Sequence, residues 1–359
     1  EPAFYAPRAW LLTVALLGSL LGCEAAPQGE APLLQAARSG DLDDLQARLQ
    51  AGDDIEAPGR DGLSALDLAA QAGHVEVVEA LMQAGANPHG HLSNPVSPLH
   101  RAAAAGHSDV VAHFLAQGSS PQTPTPDEWR PLHAAAQTGQ TEVIALLLAA
   151  GASPNPVSQY QMSPLYIAVQ SGQTAAGLAL LRAGARPDSL KRDGWNGLHL
   201  VAQGGSTGLA EALAFPPDLM NETGPGGRTA LHVATSENQG AMVDWLAQAG
   251  AALDARDEEG LSALHLATQE EEFEIGAQLI AMGAKLSQAD KEGRTPLHLA
   301  IRNRKEIASH ALIEAGANPA ALDAEGSTPL HDTARLGDTE TTEHLLAAGA
   351  PVALSSEQL

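Results

Sequence analysis

Thr295-Pro296-Leu297-His298-Leu299-Ala300 decides the fold, because it returns along the chain as Ser97-Pro98-Leu99-His100-Arg101-Ala102 and as Arg130-Pro131-Leu132-His133-Ala134-Ala135. The central leucines are Leu33, Leu66, Leu99, Leu132, Leu165, Leu198, Leu231, Leu264, Leu297 and Leu330, each 33 residues from the next. A second marker keeps the same step: Gly52, Gly85, Gly118, Gly151, Gly184, Gly250, Gly283, Gly316 and Gly349, with Pro217 in the one slot that lacks glycine. Two markers in step exclude coincidence and predict a stack of repeated units, each leaning on its neighbours.

The unit can be built from its residues. Ser97, Ser163, Thr295 and Thr328 stand where a hydroxyl caps a helix start. Pro98, Pro164, Pro296 and Pro329 follow at the first helical position, where a missing N–H costs nothing. The motif leucine and the later alanine share one face, and a glycine such as Gly73, Gly106 or Gly139 ends the helix. A second amphipathic helix follows, as in Glu142 to Ala149 with Val143, Ile144, Leu147 and Leu148 facing inward. The stretch from its closing glycine to the next motif holds Asp-Gly, Glu-Gly and Pro-Gly-Gly turn signals and predicts a β-hairpin finger.

This pattern resembles the ankyrin repeat, whose signature is Thr-Pro-Leu-His-x-Ala at this period. The resemblance implies an all-α repeat solenoid of about ten 33-residue helix-turn-helix units with β-hairpin fingers, spanning residues 31–350. Both ends are expected to be polar caps. The first unit lacks the motif histidine, and the last carries Asp332-Thr333 and a helix rich in Asp, Thr and Glu from Asp338 to His344. At one internal corner Phe215-Pro216-Pro217 replaces the closing glycine, which predicts a local bend.

Composition fits a stack of small contacts, since aromatics are 3% of residues. The formal charge of −24 disfavours nucleic acid, whose phosphates require lysine and arginine, and suits a basic protein partner. At the N-terminus Arg8 precedes the twelve-residue apolar run Trp10 to Leu21. A bilayer span needs about 20 residues, so the run reads as part of a signal peptide covering residues 1–23. Leu20-Leu21-Gly22-Cys23 resembles a bacterial lipobox, which implies cleavage before Cys23, the only cysteine, and lipidation of that residue. Residues 24–30 then form a short linker and 351–359 a tail. The expected location is the cell envelope, as a periplasmic or cell-surface lipoprotein, or alternatively as a soluble periplasmic protein.

Seven of the fourteen histidines, His100, His133, His199, His232, His265, His298 and His331, occupy the fourth motif position. The family resemblance implies that they bond to backbone and to the motif hydroxyl, joining neighbouring units. His89 and His91 lie in a finger with His74 and His107 near in the lattice, yet no cysteine or clear acidic ligand accompanies them. Neither a metal nor a cofactor is expected. Glu270-Glu271-Glu272 with Glu274 reads as a solvated run before a second helix. No nucleophile elbow, phosphate loop or zinc-protease helix occurs, so the chain is not expected to be an enzyme.

Binding in such stacks falls on finger tips and first helices. Three residues before each motif leucine stand Leu63, Val96, Trp129, Met162 and Trp195, followed by Arg228, Leu261, Arg294 and Ser327. The first five predict an exposed apolar ridge for a partner, extended by Arg130 and Tyr160, because tryptophan is enriched at interface hot spots. Gln71, Gln137, Gln170, Gln203 and Gln269 recur five residues after the motif leucine and read as a polar edge. The leading expectation is a monomeric, non-catalytic protein-binding scaffold at the bacterial envelope, touching the membrane only through its lipid. The alternative is an immunity or inhibitor protein that neutralises a toxin or hydrolase in the periplasm.

Overall fold

A computed structural model describes residues 30–90, 96–190 and 194–352. The expected signal peptide and Cys23, together with His91, lie outside these residues. The described residues hold twenty α-helices in ten pairs, and they divide into two compact units, one ending at Ser189 and the other beginning at Leu190.

In the first unit the pairs are α1 (Pro32–Ser39) and α2 (Leu42–Ala51), α3 (Ala65–Ala72) and α4 (Val75–Gln83), and α5 (Pro98–Ala105) and α6 (Ser108–Ala116). Then come α7 (Pro131–Thr138) and α8 (Thr141–Ala149), and α9 (Pro164–Gln170) and α10 (Thr174–Arg182). In the second unit they are α11 (Gly197–Gly204) and α12 (Thr207–Leu213), α13 (Ala230–Ser236) and α14 (Gly240–Gln248), and α15 (Ala263–Ala267) and α16 (Glu274–Ala281). The last are α17 (Pro296–Arg302) and α18 (Glu306–Glu314), and α19 (Pro329–Leu336) and α20 (Thr339–Ala347). No helix among the described residues is long and apolar enough to cross a membrane.

Within each unit the first helices pack in one row and the second helices in another. Between the rows lies the core: Leu66, Leu99, Leu132, Leu165, Leu231, Leu264 and Leu297 from first helices, and side chains such as Val111, Phe114, Ile144, Leu147, Leu246 and Leu279 from second helices. Small motif alanines, among them Ala69, Ala102, Ala135, Ala234 and Ala300, are fully buried and let first helices approach closely.

Gly40, Gly73, Gly106 and Gly139 end first helices in the left-handed conformation. A Cβ there would also have to displace the end of a neighbouring side chain. A Cβ on Gly106 would stand 2.4 Å from the Gln140 side chain, and one on Gly139 would stand 2.3 Å from Gln173. At the corner of the second unit Ala214 adopts φ 46° in place of a glycine, and Pro217–Asn221 forms a 3-10 turn. The chain is therefore locally rebuilt at Phe215-Pro216-Pro217, while the division between units falls upstream of it.

The fingers differ from the expectation of β-hairpins. Among the described residues no strand forms, apart from a single bridging residue at Trp195. These fingers are instead tight turns closed across the mouth by a backbone bond, as Thr125 N–H to Trp129 C=O (2.8 Å), Asp257 to Leu261 (2.9 Å) and Asp290 to Arg294 (2.9 Å), with a second bond inside the turn, as Glu128 to Thr125 (2.9 Å). The bonds that would extend strands go sideways, to the adjacent finger. Gln159 N–H donates to Asp127 C=O (2.9 Å), Glu258 to Gly226 (2.8 Å), Lys291 to Glu259 (3.1 Å) and Ala324 to Glu292 (2.8 Å). A row of turns stitched tip to tip replaces independent hairpins.

Candidate partner-binding face

The finger begins with a residue whose side chain closes the turn. Asp257 Oδ1 accepts from Glu259 N–H and Leu261 N–H, both at 2.9 Å, and Asp290 and Asp323 repeat the arrangement in the next two fingers. Thr125 and Ser158 do the same with hydroxyls towards Trp129 and Met162. In the fingers before Leu66, Leu264, Leu297 and Leu330 the residues six and five before the motif leucine are both exposed. The left-handed residue follows, glycine in most fingers but Glu128 and Gln161 in two.

The residue three before the motif leucine is where the histidine joint lands. His100 Nε2 donates to Trp129 C=O (3.1 Å) and His133 Nε2 to Met162 C=O (3.1 Å). His199, His232, His265 and His298 reach Arg228, Leu261, Arg294 and Ser327 in the same way, at 2.9 to 3.2 Å. A carbonyl only accepts, so Nε2 carries the proton; His199 Nδ1 stands 2.7 Å from Asn196 Oδ1, but in the other five rings Nδ1 is the acceptor. That nitrogen lies 2.8 Å from Ser97, Thr229 and Ser262 hydroxyls, and it takes the backbone N–H of Thr229 (3.1 Å) and Thr295 (3.2 Å). In these units the motif hydroxyl therefore turns to the imidazole. Ser64 and Ser163, whose units have Asp67 and Tyr166 in the histidine slot, cap their helices instead, accepting from Asp67 N–H (3.2 Å) and Tyr166 N–H (3.1 Å). His331, in the last unit, keeps the Thr328 contact and has an exposed ring.

Burial holds these rings neutral. It lowers His100 to about 4 and His133 to about 3, and it lowers His199, His232, His265 and His298 below the ordinary histidine value of 6.5. His74 and His107 serve differently, bonding to Arg38 C=O (3.1 Å) and Gln71 C=O (2.9 Å) across adjacent units, while His89 is exposed.

Burial corrects the expected apolar ridge. Leu63, Val96, Trp129 and Met162 are buried, Trp129 with 2% of its surface exposed, and Trp195 is half-buried. At Trp129 and Met162 a carbonyl pinned by both the turn and the histidine fixes the backbone so that the side chain points beneath the finger. Trp129 stacks on His133 with ring centroids 5.0 Å apart, and Trp195 meets His199 edge-on at 5.2 Å. Arg130 and Tyr160 are half-buried, and the Arg130 guanidinium folds back onto Glu128, 3.2 Å away. Gln137 is buried, Gln71, Gln170 and Gln203 are half-buried, and only Gln269 is exposed.

The side chains that do project are the tips. In the second unit Glu258, Glu259, Lys291, Glu292 and Glu325 are exposed on three successive fingers tied together by backbone bonds. In the first unit Arg60, Asp61, Glu128 and Gln159 are exposed. The signal for this row lies in the same 33-residue lattice, two and three residues upstream of the tryptophan position.

Comparisons with known proteins agree with this architecture. A family model for ankyrin repeats in three copies matches residues 99–191, 177–257, 198–290, 241–321 and 264–355, and a single-repeat model matches 61–91. No curated protein matches the chain. A pinned histidine joint in unit after unit, a 33-residue step and family models that cover most of the sequence make one conclusion: this chain belongs to the ankyrin-repeat family.

Proposed function

We propose that the chain is a non-catalytic scaffold that binds a basic protein through its finger tips, held at the bacterial envelope by a lipid on Cys23. Ankyrin repeats generally mediate protein–protein interactions, and the family is typically non-catalytic. The observation that carries the finer reading is the exposed row Glu258, Glu259, Glu292 and Glu325, in which Lys291 stands 3.8 Å from Glu259 and Arg294 2.9 Å from Glu292, leaving Glu258 and Glu325 with no ion pair to a basic side chain of the chain among the described residues. Bonded tips move as one edge, so a partner's lysines and arginines meet carboxylates already held in register. Complementary charge steers encounter and sets specificity more than it sets affinity.

The tether rests on the apolar run Trp10 to Leu21 and on Leu20-Leu21-Gly22-Cys23. Palmitate labelling of the full chain against Cys23→Ser tests it, and equal labelling of the two would overturn it. For the docking face, the full chain is used as bait in envelope and secreted fractions beside a Glu259→Gln/Glu292→Gln/Glu325→Gln variant. The reading expects a partner of basic composition whose affinity falls at least tenfold in the variant and falls with added salt. A partner held equally by both baits refutes the acidic edge as its site.

A further inference from the structure

The second helices of the last two units carry matching pairs four residues apart: Glu306 and His310 in α18, Glu340 and His344 in α20. Four residues make about one helical turn, so each glutamate and its histidine share a face. α18 and α20 pack against one another and bring the two faces together. One ligating atom each from Glu306, His310 and Glu340 all lie within 4.8 Å of one another. The His344 ring meets His310 edge-on with centroids 4.0 Å apart, which sets a second imidazole beside the cluster. Asp109 and His113 in α6 keep a similar spacing, but α4 and α8 on either side contain no histidine.

We propose that Glu306, His310, Glu340 and His344 bind one first-row transition-metal dication of the zinc class. Imidazole nitrogen with carboxylate oxygen is a donor set suited to zinc and its neighbours, whereas calcium and magnesium take oxygen alone. Ligands about 2.0 Å from a tetrahedral centre stand about 3.3 Å apart, so the present separations close by rotation of side chains. Glu306 and Glu340 are exposed and free to make that rotation without disturbing the core. Their two carboxylates balance the charge of the ion. The nearby Thr341 hydroxyl, 3.4 Å from His310 Nε2, offers the ring only a long contact that coordination can displace.

The consequence is a staple. Among the described residues α20 packs chiefly on α18 and α19, and an ion that binds only the folded pair of α18 and α20 stabilises that packing by mass action.

The test uses the full chain carrying Cys23→Ser, so that the lone thiol supplies no ligand. Zinc chloride is titrated calorimetrically, and cobalt(II) is followed by its visible absorption. The expected result is one equivalent per chain and a thermal midpoint raised by several degrees. In His310→Ala/His344→Ala the affinity drops at least tenfold and the rise disappears. The exposed pair Glu306→Gln/Glu340→Gln gives the same loss with unchanged helical content, which keeps the test valid should the histidine variant fold poorly. Zinc affinity within twofold of the parent in the glutamine variant, or no saturation near one equivalent, overturns the proposal.

Discussion

Asp67 sits in the slot where seven other units carry histidine, and it changes the chemistry of that joint. Its carboxylate closes a capping box with Ser64 and lies 3.3 Å from Arg101 of the next unit, with both side chains almost wholly buried. Burial pushes the Asp67 carboxyl above its usual range, against the opposing pull of Arg101. A buried pair is worth little over an apolar replacement, yet breaking it strands a charge at about 3–5 kcal/mol. Asp67→His alone is expected to cost about that much in urea unfolding, because it sets an imidazole against a guanidinium. Asp67→His with Arg101→Leu restores the lattice pattern and should fall within about 1 kcal/mol of the parent, a large positive coupling. Equal losses in the single and double variants would deny the pairing.

Trp129 belongs to the same scale. Truncating so large a buried side chain to alanine is expected to cost about 3–5 kcal/mol of stability, read as a lower urea midpoint. Loss of partner affinity without loss of stability would return Trp129 to the surface role its sequence position suggested. The lattice was legible in the sequence because glycine, proline and leucine at fixed steps report backbone demands, which act locally. The direction of Trp129 was not legible. It depends on a carbonyl held by His100 from the preceding repeat, a contact between residues 29 apart that no local pattern encodes.

At the scale of the element, the helix ends and finger turns set the strain. Gly106 stands at φ 86° with Gln140 filling the space a Cβ would need. Gly106→Ala therefore combines left-handed strain, about 1–2 kcal/mol, with a displaced glutamine. Its thermal midpoint should fall further than that of Gly118→Ala, where φ is 87° but nothing lies within 4 Å. Equal shifts would mean that conformation alone demands glycine. The reverse substitution is informative in the fingers. Gln161 adopts φ 59° where other fingers use glycine. Relief of that strain makes Gln161→Gly stabilising by about 0.5–1 kcal/mol, and a lower midpoint would contradict it. Helices and their capping glycines were readable from sequence, whereas the hairpins were not. Turn signals specify a reversal of the chain but say nothing of whether its free N–H groups pair within the finger or with the next one, as Gln159 does with Asp127.

Across the whole molecule, the histidine joints sum into a response to acid. Six of them are held neutral by burial, His100 down to about 4 and His133 to about 3. In the unfolded chain each returns to its ordinary value near 6.5, so between 6.5 and the folded value the unfolded state binds more protons. Stability is therefore complete above about pH 6.5 and is lost as pH falls, by up to about 1.4 kcal/mol per pH unit for each joint. In five of the six the geometry gives the same sign independently, since a proton on Nδ1 would aim a donor at the N–H or hydroxyl groups that now donate to it; His199 Nδ1 faces Asn196 Oδ1 instead. A stability of about 5–15 kcal/mol cannot absorb several such losses, although repeat stacks lose it unit by unit. Ordinary carboxyl values lie near 4, below this window, but burial pushes Asp67 and Glu270 upward, so the histidine share is read from the difference between parent and histidine variant. The unfolding midpoint in urea is expected to be flat from pH 8 to 7 and to fall steeply from 6.5 to 5. His100→Gln/His133→Gln should start lower at pH 7 and fall less steeply, since two proton-binding sites are gone from the unfolded chain. A midpoint unchanged between pH 7 and 5, or an equal slope in the double variant, would show that these imidazoles carry their protons in the folded stack after all.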